Sequence, residues 1–174
     1  DSLRGYWEDL RTWQECLRIG HLMADEALRI VADAPIQETP ALFCKALDVR
    51  LPVDSDLMWA VLQGSALDFQ HNNDRAVTTR LNLVNLGNAQ ILTIPGEALP
   101  NIGFYLKRMM RGEHNLLLGL TNDAYGYILT KVDFKSFPRY DYVSRTSLGE
   151  MTGEILIERW LELIEICPAA KGME

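Results

Sequence analysis

The stretch ILTIPGEALPNIGFYLKRMM, residues 91–110, decides how the fold of this 174-residue chain is read. Its first residues have the composition of a strand, and a helical pattern begins soon after them. Between the two stand Pro95, whose φ angle is fixed, and Gly96, which accepts backbone angles that other residues avoid. The pair predicts a sharp turn at the end of a sheet strand, with the carboxylate of Glu97 directly after the turn.

The residues before this stretch predict a partner for the strand. From Arg75 onward the sequence alternates with period two, which is typical of a half-buried strand. The segment LGNAQ, residues 86–90, has the composition of a tight turn. Residues 75–94 are therefore predicted to form a β-hairpin that leads into the Pro-Gly turn.

The remaining elements are predicted from periodicity, caps and breakers. The predicted helices cover residues 3–33, a short segment capped by Asp54 or Ser55 and ending near Gln63, 98–111 and 147–166; the predicted strands cover 42–51, 115–120 and 126–131; an aromatic loop covers 132–146. This order predicts an α/β (α+β) fold, a mixed β-sheet layered with helices. It is expected to span residues 1–174 as one domain or half-domain.

Composition excludes several classes of protein. The net charge of −7 disfavours nucleic acid as a partner, because a phosphate backbone attracts clustered Lys and Arg. No apolar run approaches a membrane-spanning length, and no signal-peptide pattern opens the chain. Cys16, Cys44 and Cys167 lie far apart, which is not the spacing of a disulfide framework or a zinc ribbon. We interpret them as buried or incidental thiols.

Two clusters hold candidate functional residues. Glu97 is either an acid that complements the dipole of the following helix or a ligand or catalytic group. In GLTNDAYGYILT, residues 119–130, a strand-like segment runs into Asn, Asp, Gly and two tyrosines. This cluster is either a surface turn with a packing tyrosine or a turn that points Tyr125 or Tyr127 into a cleft.

Taken together, PGEALPNIG and TNDAYGY resemble two signatures of the neutral/alkaline (non-lysosomal) ceramidase family. The likeness extends to the flanks: IGHLMADEALRIV resembles the helix before the family's strands, AVTTRLNLVNLGNAQILTIPGE its hairpin, and SRTSLGEMTGEILIERWLELI its closing helix. Tyr140-Asp141 stands near the family's Tyr-Glu pair. The resemblance covers nearly the whole chain and implies the C-terminal half of a larger catalytic domain.

The resemblance implies a zinc-dependent amidase that cleaves the N-acyl bond of ceramide-like lipids to a sphingoid base and a fatty acid. Carried over to this sequence, it implies Glu97 and Tyr127 as ligands of Zn²⁺. The family's earlier tyrosine position is Ala124 here, with Tyr125 displaced by one, so Tyr125 stays an alternative ligand. A zinc-bound water has a pKa near about 7 and can act as the nucleophile.

The two histidine ligands of the family are not matched in this chain. His21, His71 and His114 show no metal-binding spacing. The resemblance therefore implies a partner, the N-terminal half of the catalytic domain, which supplies two histidines and the residues that activate the nucleophile. It also implies a ceramide-like lipid as substrate, contact with a membrane surface, and a secreted or membrane-associated location.

A second hypothesis stands beside the first. The chain could be a non-catalytic structural or binding subunit that keeps the fold without a complete metal site. Two interpretations also remain for the aromatic residues of the predicted loop, which either line a lipid groove or pack within their own loop. These residues are Phe134, Phe137, Tyr140 and Tyr142.

Overall fold

The computed structural model describes residues 11–66, 71–72 and 74–171. The chain divides into two compact units, residues 1–38 and residues 39–174. The helices are α1 (Trp13–Asp33), α2 (Asp56–Gly64), α3 (Pro100–Met109), α4 (Asp141–Arg145) and α5 (Thr152–Ile166). The strands are β1 (Leu42–Pro52), β2 (His71–Asn72), β3 (Ala76–Leu86), β4 (Ala89–Thr93), β5 (Glu97–Ala98), β6 (His114–Leu118) and β7 (Tyr127–Ile128).

The first unit contains α1. The hydroxyl of Thr12 caps the helix by accepting a hydrogen bond from the backbone N–H of Glu15 at 3.2 Å. The helix ends at Asp33, two residues before Pro35. This end is expected, because the residue before a proline is disfavoured in the helical region. The predicted helix is confirmed over this span, while its first residues lie outside the described part of the chain. None of the residues of α1 is buried.

The second unit is built on a mixed sheet in which β1, β3, β4 and β6 are neighbours in that order. The long strands β1 and β3 pair antiparallel, from Leu42 opposite Leu86 to Pro52 opposite Ala76. The predicted hairpin is confirmed, since β3 turns directly into antiparallel β4. The strand β6 then joins β4 in parallel, and α3 provides the crossover that a parallel pair requires. The fold is therefore the predicted mixed sheet with helices.

One face of this sheet forms the core. The alternating residues of β3 place Val77, Leu81 and Leu83 on that face with no solvent exposure. Helices α3 and α5 cover it through Leu106, Leu163 and fully buried Trp160, among others. The indole N–H of Trp160 donates to the carbonyl of Thr93 at 3.1 Å, so its polar atom is satisfied inside the core.

The opposite face, here called the open face, carries an accessible apolar row. Its central row crosses all four strands through Cys44, Val84, Ile91 and Leu116, which the pairing register places side by side. Cys44 and Leu116 are exposed, and Val84 and Ile91 are half-buried. One face of the sheet thus meets the core helices, and the other presents a band of aliphatic side chains.

The observed boundaries differ from the predicted ones in several places. The closing helix begins at Thr152, because the segment before it forms turns in which Gly149 packs against Asp54. The predicted aromatic loop contains a 3-10 turn at Pro138–Tyr140 followed by α4. The short strands β2 and β5 carry no periodic signal, since two residues are too few to show one. Among the described helices, none has the length and hydropathy needed to cross a membrane.

Replacing Trp160 with Ala should lower the free energy of unfolding by about 3–5 kcal/mol, because it leaves a large cavity under α5. Chemical denaturation measured by circular dichroism gives the value. Phe104, which is 67% exposed on α3, is the matched control, and its replacement with Ala should change stability by no more than about 0.5 kcal/mol. Equal losses in the two variants would contradict the assigned core.

Candidate functional site

The candidate site lies where the parallel strands β4 and β6 end. Beyond both strands the two chain segments stay hydrogen-bonded to each other. The N–H of Tyr125 donates to the carbonyl of Pro95 at 3.0 Å, and the N–H of Glu97 donates to the carbonyl of Gly126 at 2.9 Å. These bonds lead into the second, two-stranded sheet, in which β5 and β7 run parallel. The carboxyl ends of parallel strands are a common location for ligands.

Two glycines allow this close approach. A Cβ atom on Gly96 would lie 2.5 Å from the carbonyl oxygen of Gly126, far inside van der Waals contact. Gly126 itself has φ of +79°, and a Cβ there would lie 2.0 Å from the carbonyl oxygen of Thr146. The same carbonyl accepts the N–H of Tyr127 at 3.1 Å. Both positions therefore require glycine, and the backbone around Glu97 and Tyr127 is closely held.

The second sheet places Glu97 directly beside Tyr127. The two residues are register partners in the β5–β7 pair, and the Tyr127 phenol lies close enough to the Glu97 carboxylate for that charge to raise its pKa. Glu97 is exposed and Tyr127 is half-buried, so both groups are open to a ligand from outside. Helix α3 begins only at Pro100 and has no acid in its first turn, so Glu97 does not act as a helix-dipole acid.

The neighbours of Tyr127 keep its phenol protonated. The carboxylate of Glu97 is the main cause of a raised pKa at Tyr127, and partial desolvation and Tyr142 act in the same direction. The rings of Tyr127 and Tyr142 meet edge to face, with centroids 5.9 Å apart. A nearby negative charge disfavours a second one, so this pair holds one negative charge unless a cation is bound.

Tyr125 lies in a different environment from Tyr127. It is 3% exposed, and its hydroxyl interacts with the carbonyl of Thr78 and with the carboxylate of Asp123. Burial is the main cause of its raised pKa, with the Asp123 charge second. Asp123 in turn accepts a hydrogen bond from buried Thr79 at 2.5 Å. Tyr125 and Asp123 thus tie the loop to β3, and Tyr127 is the tyrosine that faces Glu97.

The other candidate ligands are scattered. His21 is exposed on α1, His114 is the exposed first residue of β6, and His71 lies in β2 with its side chain outside the described part. In the described residues, no three His, Cys, Asp or Glu side chains come together as a metal site. Of the thiols, Cys16 and Cys44 are exposed and Cys167 is buried. The described chain therefore brings together two candidate donors, Glu97 and Tyr127.

Tyr142 is a site neighbour that sequence reasoning did not single out. The sequence shows it as one of several aromatic residues in a predicted loop, without periodicity to give it a direction. Its contact with Tyr127 depends on the position of α4. The carbonyl of Thr146, directly after α4, accepts the N–H of Tyr127 and lies close to Gly126. No local signal would have revealed that contact.

No protein-family model matches the chain, and no curated protein matches it significantly. Among solved structures, the chain is similar to a ceramidase complexed with C2, with a TM-score of 0.45 and 15% sequence identity. It is also similar to neutral ceramidase from Pseudomonas aeruginosa, with a TM-score of 0.42 and 15% identity. Each likeness covers 56% of this chain and 17% of the other protein, so the chain spans a small share of those proteins.

Replacing Gly126 with Ala should disrupt the site. The added Cβ would collide with the Thr146 carbonyl and would strain a left-handed backbone, so we expect a stability loss of at least about 2 kcal/mol. Gly64 has nothing within 4 Å of its missing Cβ, and Gly64→Ala is the matched control with a change below about 1 kcal/mol. Thermal unfolding measured on both variants compares them, and a wild-type melting temperature for Gly126→Ala would contradict the described packing.

Replacing Glu97 with Gln should lower the pKa of Tyr127, because it removes the negative charge that opposes ionisation of the phenol. The tyrosinate absorbance in an ultraviolet pH titration measures this pKa, with Tyr127→Phe as the reference that identifies the signal. Tyr127 should then ionise at a lower pH than in the unaltered chain. A titration curve that does not move would show that the two side chains are apart in solution.

Proposed function

We propose that this chain is part of a zinc-dependent amide hydrolase that resembles neutral ceramidase. Its substrate class is ceramide-like lipids, whose N-acyl bond is cleaved to a sphingoid base and a fatty acid. Glu97 and Tyr127 contribute two ligands of the metal, and the N-terminal half of the catalytic domain contributes two histidines together with the residues that activate the nucleophile.

The observation that supports the proposal most is the Glu97–Tyr127 pair. A carboxylate and a phenol oxygen stand in register at the end of two parallel strands, on backbone segments fixed by two obligatory glycines. Coordination tolerates displacements of only about 0.5 Å, and a site on rigid strands satisfies that limit better than one on loops.

The donor set fits zinc as half of a site. Carboxylate oxygens and imidazole nitrogens are established zinc ligands. The described residues hold no group of three His, Cys, Asp or Glu side chains, and the proposal takes the remaining ligands from elsewhere. When bound, zinc would supply a Lewis acid and an acidified water at neutral pH.

The residues of this chain would have defined roles at such a site. The charged Glu97 carboxylate would attract the cation, and a cation held beside Tyr127 would favour the deprotonated phenol. Tyr142 would hold the ring of Tyr127 through its edge-to-face contact. The exposure of the pair leaves room for the other half of the site and for a substrate amide.

A second candidate function is a non-catalytic binding or structural subunit. Two observations favour it: the described residues lack a complete metal cluster, and the position of the family's earlier tyrosine holds the exposed Ala124. The sequence of the rest of the assembled protein would distinguish the two candidate functions. Two histidines there in a metal-binding arrangement, with N-acyl hydrolysis that a chelator abolishes, would favour the hydrolase.

Zinc added to the purified chain should bind weakly and raise tyrosinate absorbance at neutral pH, because the cation lowers the pKa of Tyr127. Glu97→Gln and Tyr127→Phe should each abolish that signal, whereas His114→Gln should leave it unchanged. Two results would contradict the proposal: tight stoichiometric zinc on this chain alone, or a zinc-induced signal that survives Glu97→Gln.

A further inference from the structure

Helix α1 has an apolar face along its whole length. Residues spaced three and four apart lie on the same side of a helix. On α1 one such set is apolar or small at every position: Trp13, Cys16, Leu17, Gly20, Met23, Ala24, Ala27, Leu28 and Val31. The opposite side carries two ion pairs, Arg18 with Glu15 at 2.6 Å and Arg29 with Glu26 at 2.7 Å. The helix is therefore strongly amphipathic.

This apolar face is exposed. Trp13 is 75% exposed, Met23 and Leu28 are each 69% exposed, and Val31 is 71% exposed. Together with the other exposed apolar side chains of the helix they present on the order of 800 Å² of surface, more than the largest apolar patch of a typical soluble monomer. Helices in proteins owe most of their stability to packing of such a face. We therefore expect a partner to cover α1.

Gly20 lies in the middle of the apolar face. Glycine inside a helix is less favourable than alanine, because it loses more conformational freedom on folding. A Cβ atom at Gly20 would meet nothing within 4 Å among the described residues. The packing of the described chain therefore does not require glycine at this position. A close approach by another backbone would require it, which points to a contact from outside the described chain.

The order of large and small residues on this face is self-complementary when two copies of α1 run antiparallel. With the two-fold axis between Leu22 and Met23, residues whose numbers add up to 44–46 lie at about the same height, within about 1 Å. The pairs that meet are Trp13 with Val31, Cys16 with Ile30, Leu17 with Leu28, and Gly20 with Ala24. Large side chains meet towards the ends and the smallest ones near the middle, so the two helices can approach closely.

We propose that α1 pairs antiparallel with α1 of a second copy of this chain and so forms a homodimer. The exposed area on each helix matches the roughly 800 Å² that each partner of a stable interface buries. The apolar face carries no charged side chain, as the centre of an interface between copies requires. The antiparallel direction also places opposite ends of the two helix dipoles together. The contact uses one face twice and closes after two copies.

Sedimentation equilibrium of the whole chain at about 1–100 μM, with a chelator present, tests the pairing. The unaltered chain should change from monomer to dimer within this range. Leu17→Glu should weaken the association by at least about tenfold, because each copy would bury a carboxylate. Leu22→Glu is the matched control. It replaces a leucine that is 55% exposed on the ion-paired side, and it should change the association by less than about threefold.

A substitution at Gly20 separates dimerisation from helix stability. Gly20→Leu should raise the helix content measured by circular dichroism at low concentration, where both proteins are monomeric, because leucine is the better helix former. The same variant should dimerise at least about tenfold more weakly, because its side chain would hold the two backbones apart. A Gly20 that serves only the structure of one copy would not give this opposite pair of effects.

A thiol cross-link tests the register of the pair. In a Cys44→Ser background, Ile30→Cys should be joined to Cys16 of the second copy by a short bismaleimide, giving a covalent dimer. Residues 16 and 30 of one helix are about 21 Å apart, beyond the reach of such a linker, so the link has to join two copies. Arg29→Cys is the matched control, since it lies at nearly the same height but on the ion-paired side.

Three results would overturn the proposal: a chain that stays monomeric at about 100 μM, equal weakening by Leu17→Glu and Leu22→Glu, or equal cross-linking by Arg29→Cys and Ile30→Cys. In a monomeric chain, protection of Trp13 from acrylamide quenching, measured against Trp13→Phe, would show that the chain itself covers α1. The pairing needs neither zinc nor a substrate, so a failed zinc titration would refute the metal pair and leave the dimer intact.

Discussion

The close approach of two backbones at Gly96 and Gly126 is the constraint on which the site depends. Beyond the ends of β4 and β6, the chain segments stay paired through hydrogen bonds of 2.9–3.0 Å, and any side chain at either glycine would separate them. This pairing carries Glu97 and Tyr127 into register although they are 30 residues apart in sequence. It also brings α4 against the site, because the Thr146 carbonyl occupies the space of a Cβ at Gly126.

The electrostatics of the site follow from that geometry. In the absence of a cation, the carboxylate of Glu97 raises the pKa of Tyr127, and the pair carries a single negative charge. A divalent cation reverses the preference, because it stabilises two negative oxygens at once. The pair is thus a place where a small change in local charge alters the protonation of a tyrosine. Tyr125, two residues earlier, is insulated from such a change by burial and by its hydrogen bond to Asp123.

Much of the fold could be predicted from sequence. The period-two alternation of residues 75–94 predicts the hairpin, and the Pro-Gly pair predicts the turn after it, because both signals are local. The pairing of β5 with β7 could not be predicted, since two-residue strands have no periodicity and their pairing joins distant segments. Sequence reasoning brought Glu97 and Tyr127 together only through a family resemblance. The different surroundings of Tyr125, which is buried, and Tyr127, which is half-buried, could not be predicted from the sequence.

The position of β6 has a further consequence. It is the last strand in the order of the described sheet, and no described strand pairs with its outer side. Its side chains Leu116 and Leu118 are each 45% exposed. An accessible strand of this kind is a template for strand addition by another polypeptide. A strand added beside β6 would extend the described sheet on that side.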